Sequence, residues 1–138
     1  MTKKTKQKKN YSYSLGRRRT ASARVRLFKG DNENLVNGQV IGKYFPGEAM
    51  KRIWSMPFDL TNTVGKYFVT VKVAGGGIRG QLVAVVTGIA KALSVENPAK
   101  FRKLLKKAGL LTRDSRIRER RKVGTGGKAR RKRQSPKR

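Results

Sequence analysis

The sequence predicts a small mixed α/β (α+β) domain that carries a long basic C-terminal tail. Two observations predict the domain. Apolar and polar residues alternate with period two at 11–15, 23–27 and 67–73, the signature of half-buried strands. An apolar stripe at helical spacing then runs over 78–93. A third observation predicts the tail, because charge is segregated along the chain. Residues 1–30 hold 11 Lys+Arg and no acid, residues 31–112 hold 12 with 5 acids, and residues 113–138 hold 13 with 2. The expected organisation is a basic N-terminal extension (1–10), a globular domain (11–112), and a basic extension with tail (113–138).

The elements follow in order. Tyr11, Tyr13 and Leu15 alternate with Ser12 and Ser14 as a first strand. Ala23, Val25 and Leu27 alternate with Ser22, Arg24 and Arg26, which puts apolar groups on the core face of a second strand and guanidiniums on the other. Lys29-Gly30-Asp31-Asn32 is a turn, and Asn34 to Val36 returns as a short strand. Pro46 precedes a helix with Met50, Ile53 and Trp54 on one side, and Pro57 is expected to stop it. Tyr67, Val69, Val71 and Val73 alternate with Phe68, Thr70 and Lys72, the clearest strand in the chain.

After Gly75-Gly76-Gly77 comes the best helix, with Ile78, Leu82, Val85, Val86, Ile89 and Leu93 in one stripe. Gly80, Ala84, Gly88 and Ala92 run beside it at every fourth position, so the helix can sit close to the sheet. Asn97-Pro98 is an N-cap followed by proline at the first helical position. The last helix is expected to bury Phe101, Leu104, Leu105 and Ala108, to end at Gly109, and to present Lys100, Arg102, Lys103, Lys106 and Lys107 outward. Val123 to Arg138 has one aliphatic side chain larger than alanine. It is expected to stay disordered until a partner orders it.

The net charge of +29, with a pI near 11.7, implies a polyanionic partner, since so charged a compact state repels itself. No stretch approaches eighteen apolar residues, so no membrane span is expected. The first ten residues lack the apolar run of a secretory signal and are short for an organellar transit peptide. The absence of cysteine and histidine excludes disulfides, Cys/His zinc sites and histidine-based triads. No catalytic residue, metal or cofactor is expected.

One segment imitates a nucleotide-binding loop. Gly75-Gly76-Gly77-Ile78-Arg79-Gly80 follows a strand and opens a helix, and Glu96 lies where a ribose-binding acid belongs. That fingerprint needs a second parallel strand ending at the acid, whereas Glu96 runs into Asn97-Pro98 and another helix. The bland alternative is a tight turn needing glycine dihedrals. A third keeps the physics and changes the anion: helix N-terminal amides hold an RNA phosphate, with Arg79 beside it. Gly124-Thr125-Gly126-Gly127-Lys128 fails as a Walker loop, because Lys122 and Ala129 occupy positions that need Gly and Ser/Thr. Among carboxylates, Asp31 and Glu33 sit in a turn, and Asp114 stands four residues before Arg118, a helical ion-pair spacing.

The basic residues form three runs. Arg17, Arg18, Arg19 and Arg24 join two strands, with Arg26 following. Arg113, Arg116, Arg118, Arg120, Arg121 and Lys122 form the second run, and Lys128, Arg130, Arg131, Lys132 and Arg133 the third. One such run is usually a solvated face; three in a small chain point to nucleic acid, arginine forks being suited to phosphate.

The runs belong to a longer series of motifs: Gly16-Arg17-Arg18, Ala23-Arg24-Val25, Asn37-Gly38, Tyr44-Phe45-Pro46, Gly75-Gly76-Gly77 with Gly80-Gln81, Gly88-Ile89-Ala90, Lys106-Lys107-Ala108-Gly109 and Leu111-Thr112-Arg113-Asp114. Glu119-Arg120-Arg121-Lys122, Lys128-Ala129-Arg130-Arg131 and the terminal Lys137-Arg138 complete it. In this order and spacing the chain resembles the ninth small-subunit ribosomal protein family, in its bacterial or organellar form, from about Tyr11 to Arg138. The resemblance implies a structural protein and not an enzyme. It implies a two-layer sandwich like the second domain of the fifth small-subunit protein, seated on ribosomal RNA in the subunit head beside neighbouring head proteins. The arginine and lysine runs, with Arg79, would contact that RNA, and Arg130 and Arg131 would line the tail's path. Lys137 and Arg138 would touch the anticodon stem-loop of P-site tRNA. The site of action would be the ribosome, in the cytoplasm or an organellar matrix or stroma. The end departs from the family's usual Gln-Phe-Ser-Lys-Arg, reading Gln134-Ser135-Pro136-Lys137-Arg138, and Lys132 and Arg133 replace residues usually uncharged.

Two rivals are weaker. A protein subunit of an RNA-processing ribozyme would carry an Arg-Asn-x-x-Lys-Arg helix, and no asparagine here follows an arginine. A DNA-architectural protein would usually dimerise, and the sequence offers no strong dimer surface.

Overall fold

The computed structural model describes residues 10–124. The chain forms β1 (Ser12–Arg18), β2 (Ala21–Lys29), β3 (Leu35–Val36), β4 (Gln39–Val40), α1 (Ile41–Tyr44), α2 (Glu48–Thr61), β5 (Tyr67–Ala74) and α3 (Ile78–Glu96). A wide π-type turn (Pro98–Arg102) then leads into α4 (Lys103–Lys107). The sheet order is β1-β2-β5-β3-β4, with β5 antiparallel to β2 and parallel to β3. All the helices contribute to a core on one face of this sheet: Ile41, Phe45, Phe58, Ile89, Leu93, Phe101 and Leu105 meet Val25, Leu27, Val69 and Val71 there. Each of these large side chains contributes about 1.5–3 kcal/mol by leaving water.

The second and fifth strands bury the residues their alternation marks. Ala23, Val25 and Leu27 pair in register with Val73, Val71 and Val69 on the inner face. The first strand does the reverse. Its inner positions are Ser14 and Gly16, while Tyr13 is 49% exposed. The reason is the distance to α3. A Cβ on Gly88 would stand 2.5 Å from Val25 Cγ2, and one on Gly16 would come closer still to the helix backbone. Only small side chains fit between, and the Ser14 hydroxyl donates to the Gly88 carbonyl. The four-residue spacing of small residues on α3 serves this contact.

Pro57 does not stop α2, which runs on to Thr61. Proline costs the helix one hydrogen bond. The next residue, Phe58, is buried and extends the Met50–Trp54 side of the helix into the core, and this outweighs the loss. Ile53, expected on that side, is 41% exposed. The helix stops at Asn62, whose left-handed φ of 52° closes the turn. In the last helix Phe101 and Leu105 are buried as expected, but Leu104 and Ala108 are exposed. The wide turn before α4 rotates the helix, so its buried line is i, i+4 and no more. Asn97 caps that turn by accepting from the Lys100 amide at 3.3 Å. Gly109, at φ 75°, ends it, and the Leu110 amide reaches back to the Leu105 carbonyl at 3.1 Å.

α3 corrects a further expectation. Its 19 residues are long and apolar enough, by length and composition, to cross a membrane, although the longest unbroken apolar run within them is Leu82 to Val86. Most of the helix is buried inside the domain, as the core helix of a packed sandwich must be.

Candidate nucleic-acid interface

The hairpin joining β1 to β2 is tighter than its run of arginines suggests, because Arg17 and Arg18 lie in the strand and only Arg19 and Thr20 turn. Arg19 takes a left-handed φ of 52° to make that turn. The tip rests on the glycine turn after β5. A Cβ on Gly75 would come within 2.5 Å of the Thr20 carbonyl oxygen, and Gly75 and Gly76 have φ of 76° and 63°. Gly75 and Gly76 are thus required by close approach and by dihedral angle, whereas Gly77, at φ −95° with open space around it, is not. Gln81 holds the turn from within, its Nε2 donating to the Gly75 carbonyl at 3.0 Å while Tyr44 donates to its Oε1 at 2.7 Å.

This packing brings Arg18, Arg19 and Arg79 around one shallow cleft at the start of α3, floored by Met50, Ile78 and Val83. The first intrahelical bond is made by the Gln81 amide to Gly77, and no side chain caps the end. Amides at a helix start have no acceptor of their own. Beside the guanidiniums of Arg19 and Arg79 they form an anion-attracting end. Glu96 is elsewhere. It accepts from Ser12 at 2.5 Å and pairs with Lys29 at 3.1 Å, and these contacts hold its carboxyl below the usual carboxylate range, Ser12 contributing most and burial opposing. The nucleotide-loop geometry fails at its acid.

The second group of cations lies on the sheet face away from the helices. Register aligns Arg17 with Ser22, Leu15 with Arg24 and Lys72, Tyr13 with Arg26 and Thr70, and Phe28 with Phe68. Arg17, Arg24, Arg26 and Lys72 are exposed. Among the described residues, ion pairs occupy Arg18, Lys29 and Arg116, whereas Arg17, Arg19, Arg24, Arg26 and Arg79 meet no carboxylate. Lys72 and Tyr13 belong to this face but are not among the sequence candidates. The place of Lys72 depends on β5, about forty residues away, pairing with β2, and that of Tyr13 on β1 turning it outward. The outward face of the last helix holds Lys100, Arg102, Lys103, Lys106 and Lys107, all exposed.

The C-terminal extension is not helical where its ion-pair spacing suggests, and Asp114 does not meet Arg118. Asp114 accepts from Arg116, whose Nη2 lies 2.8 Å away, and from the Arg116 amide at 3.0 Å. Arg18 joins from β1, 3.4 Å from the same carboxylate and 2.8 Å from the Arg116 carbonyl. These bonds, led by that from the Arg116 side chain, hold Asp114 well below the usual carboxylate range. Arg18 is therefore committed largely to the protein, and its side chain is 14% exposed. Arg113, Arg118, Arg120, Arg121 and Lys122 follow on the surface. Lys128, Arg130, Arg131, Lys132, Arg133, Lys137 and Arg138 lie outside the described residues.

Cations without carboxylate partners on one sheet face, and an anion-attracting helix start, suit phosphate. Comparison with known proteins agrees. The profile of the family described as Ribosomal protein S9/S16 matches residues 16–138. The chain is also similar to the small ribosomal subunit protein uS9 of Maridesulfovibrio salexigens. The two are 45% identical over 119 residues, 86% of this chain and 91% of that protein.

Proposed function

The chain belongs to the S9/S16 family of ribosomal proteins, and on that premise we propose that it binds ribosomal RNA in the head of the small subunit and reaches P-site tRNA with its tail. The family is structural and non-enzymatic, and the coarser role, a structural constituent of the small subunit, follows from membership. The mixed sheet with helices on one side supports the further reading that the fold is that of the second domain of the fifth small-subunit protein.

The observation that carries the finer reading is the partition of charge. The carboxylates of Glu96 and Asp114 are satisfied within the protein, while Arg17, Arg19, Arg24, Arg26 and Arg79 point outward without acids. Such cations neutralise phosphate and fix position without reading bases. The tail adds reach. Residues 124–138 extended would span roughly 50 Å, at about 3.4 Å per residue. Lys137 and Arg138 would then hold an anticodon-stem phosphate of any tRNA, an indifference that a shared site requires.

Sucrose-gradient fractionation of lysate at rising salt tests the docking. The protein should travel with small subunits at salt that strips loosely bound factors; release at low salt, or travel with DNA, would overturn the reading. Small subunits lacking Lys137 and Arg138 should assemble but release P-site tRNA faster. Unchanged tRNA off-rates would remove the tail contact alone.

A further inference from the structure

We infer that the bare face of the sheet is a stacking platform for unpaired RNA nucleotides, with Tyr13 receiving a base and Arg24, Arg26 and Lys72 holding the flanking phosphates. The inference rests on the ribosomal reading and names the form of RNA that this face takes.

The face is built by register. Tyr13 stands opposite Arg26, and Arg24 stands between Leu15 and Lys72. One end of it is closed by rings that pack on each other. Phe28 and Phe68 stack with centroids 5.1 Å apart and planes 12° from parallel, and Tyr11 leans on Phe28 at 5.4 Å. The Arg26 guanidinium lies over the Tyr11 ring, 5.2 Å from its centre. Tyr13 is the aromatic side chain on this face left half exposed, and it joins that closed end to the cations.

The composition of the face selects the occupant. Among the described residues its strand positions carry no carboxylate, Glu96 standing only at the edge beside Tyr11 and Phe28, and the helices pack on the opposite side. A protein laid over it would have to bury several cations, each costing several kcal/mol unless matched. An RNA duplex would meet the charges but could not use the ring, because paired bases are already stacked and the helix is read by shape and backbone. A splayed single strand uses both: bases have faces for the ring, and the phosphates between them meet the cations.

The test uses the full chain and two probes at about 0.15 M salt, where the tail's contribution is common to every variant compared. One is a ten-nucleotide oligouridine carrying a single 2-aminopurine, and the other is a hairpin RNA duplex. Tyr13→Val keeps strand propensity and removes the ring; Tyr13→Phe keeps the ring. Tyr13→Val should weaken oligouridine binding about 5- to 100-fold and abolish 2-aminopurine quenching, with Tyr13→Phe restoring both. Duplex binding should not change. Equal oligouridine binding by Tyr13→Val, or an equal loss on the duplex, would overturn the inference. Either result with the protein still entering small subunits would leave the ribosomal reading standing; failure to enter them would remove both.

Discussion

A Cβ placed on Gly16 would lie 1.8 Å from the carbonyl oxygen of Ala84, closer than two non-bonded heavy atoms can approach. The obstacle is backbone on both sides, so neither strand nor helix can yield by turning a side chain. Gly16→Ala should cost about 3 kcal/mol or more, at or beyond the upper range of overpacked cores. Gly88→Ala meets a Val25 methyl at 2.5 Å, a side-chain group that can shift, and should cost less. Gly80→Ala meets only ordinary contacts at 3.7 Å inside a helix and should stabilise by about 0.5–1 kcal/mol. Thermal denaturation of the three variants checks the order. Each kcal/mol moves the midpoint by about 4–8 °C.

Asp114 fastens the C-terminal extension to the end of β1 through Arg18. Asp114→Asn removes the charge that both arginines share. Trypsin should then cut after Arg116 and Arg118 several-fold faster, while the core's stability moves by no more than about 0.5 kcal/mol. An unchanged cleavage rate would show that the fastening holds without the charge.

Glu96 titrates below its usual range because Ser12 and Lys29 favour the carboxylate. The stability this adds is fully present above the unfolded value near 4.5 and is lost as pH falls through the lower folded value. Glu96→Gln should therefore lower the melting temperature at pH 6 and lose that deficit progressively as pH falls below about 4.5. Ser12→Ala, which removes the largest contribution, should lower the melting temperature at pH 6 and leave a smaller loss on acidification, complete at higher pH than in the wild type. Melting curves of the three proteins from pH 3 to 7 decide it.

Asn37 binds the backbone of Val73 at both ends, donating to its carbonyl at 3.1 Å and accepting from its amide at 2.8 Å. It does so at a φ of 50°, which asparagine tolerates better than most residues. Asn37→Asp loses the donor and sets a carboxylate against a carbonyl. It should cost about 1–3 kcal/mol, measured by urea denaturation. Asn37→Gly keeps the dihedral and loses both bonds. Its loss relative to wild type, set against that of Asn37→Asp, separates the two effects.

The alternation at 23–27 and 67–73 identified strands and their inner faces, because both strands are sandwiched between bare solvent and a helix layer. At 11–15 it identified the strand but not its face. Nothing local tells Ser14 and Gly16 that the helix 74 residues away approaches too closely for tyrosine. Pro57 misled because a local cost was outweighed by burial of Phe58, a tertiary term. The site divided in the same way. The arginines were legible as runs, yet their grouping around Arg79 depends on the hairpin tip resting on Gly75. The partners of Asp114 depend on an extended segment that helical spacing does not describe. Lys72 needed the β2–β5 register, and Tyr13 needed the outward turn of its side of β1.

Because β1 packs on α3, the order of synthesis constrains folding. The Gly88 carbonyl that takes the Ser14 hydroxyl is made 74 residues after it. At about 5–20 residues per second, that is an interval of roughly 4–15 s. During it the acid-free leader and hairpin emerge as an incompletely folded polycation, able to attract any nearby polyanion. Until that contact forms, the chain's first thirty residues, with eleven Lys+Arg and no acid, draw polyanions by charge alone.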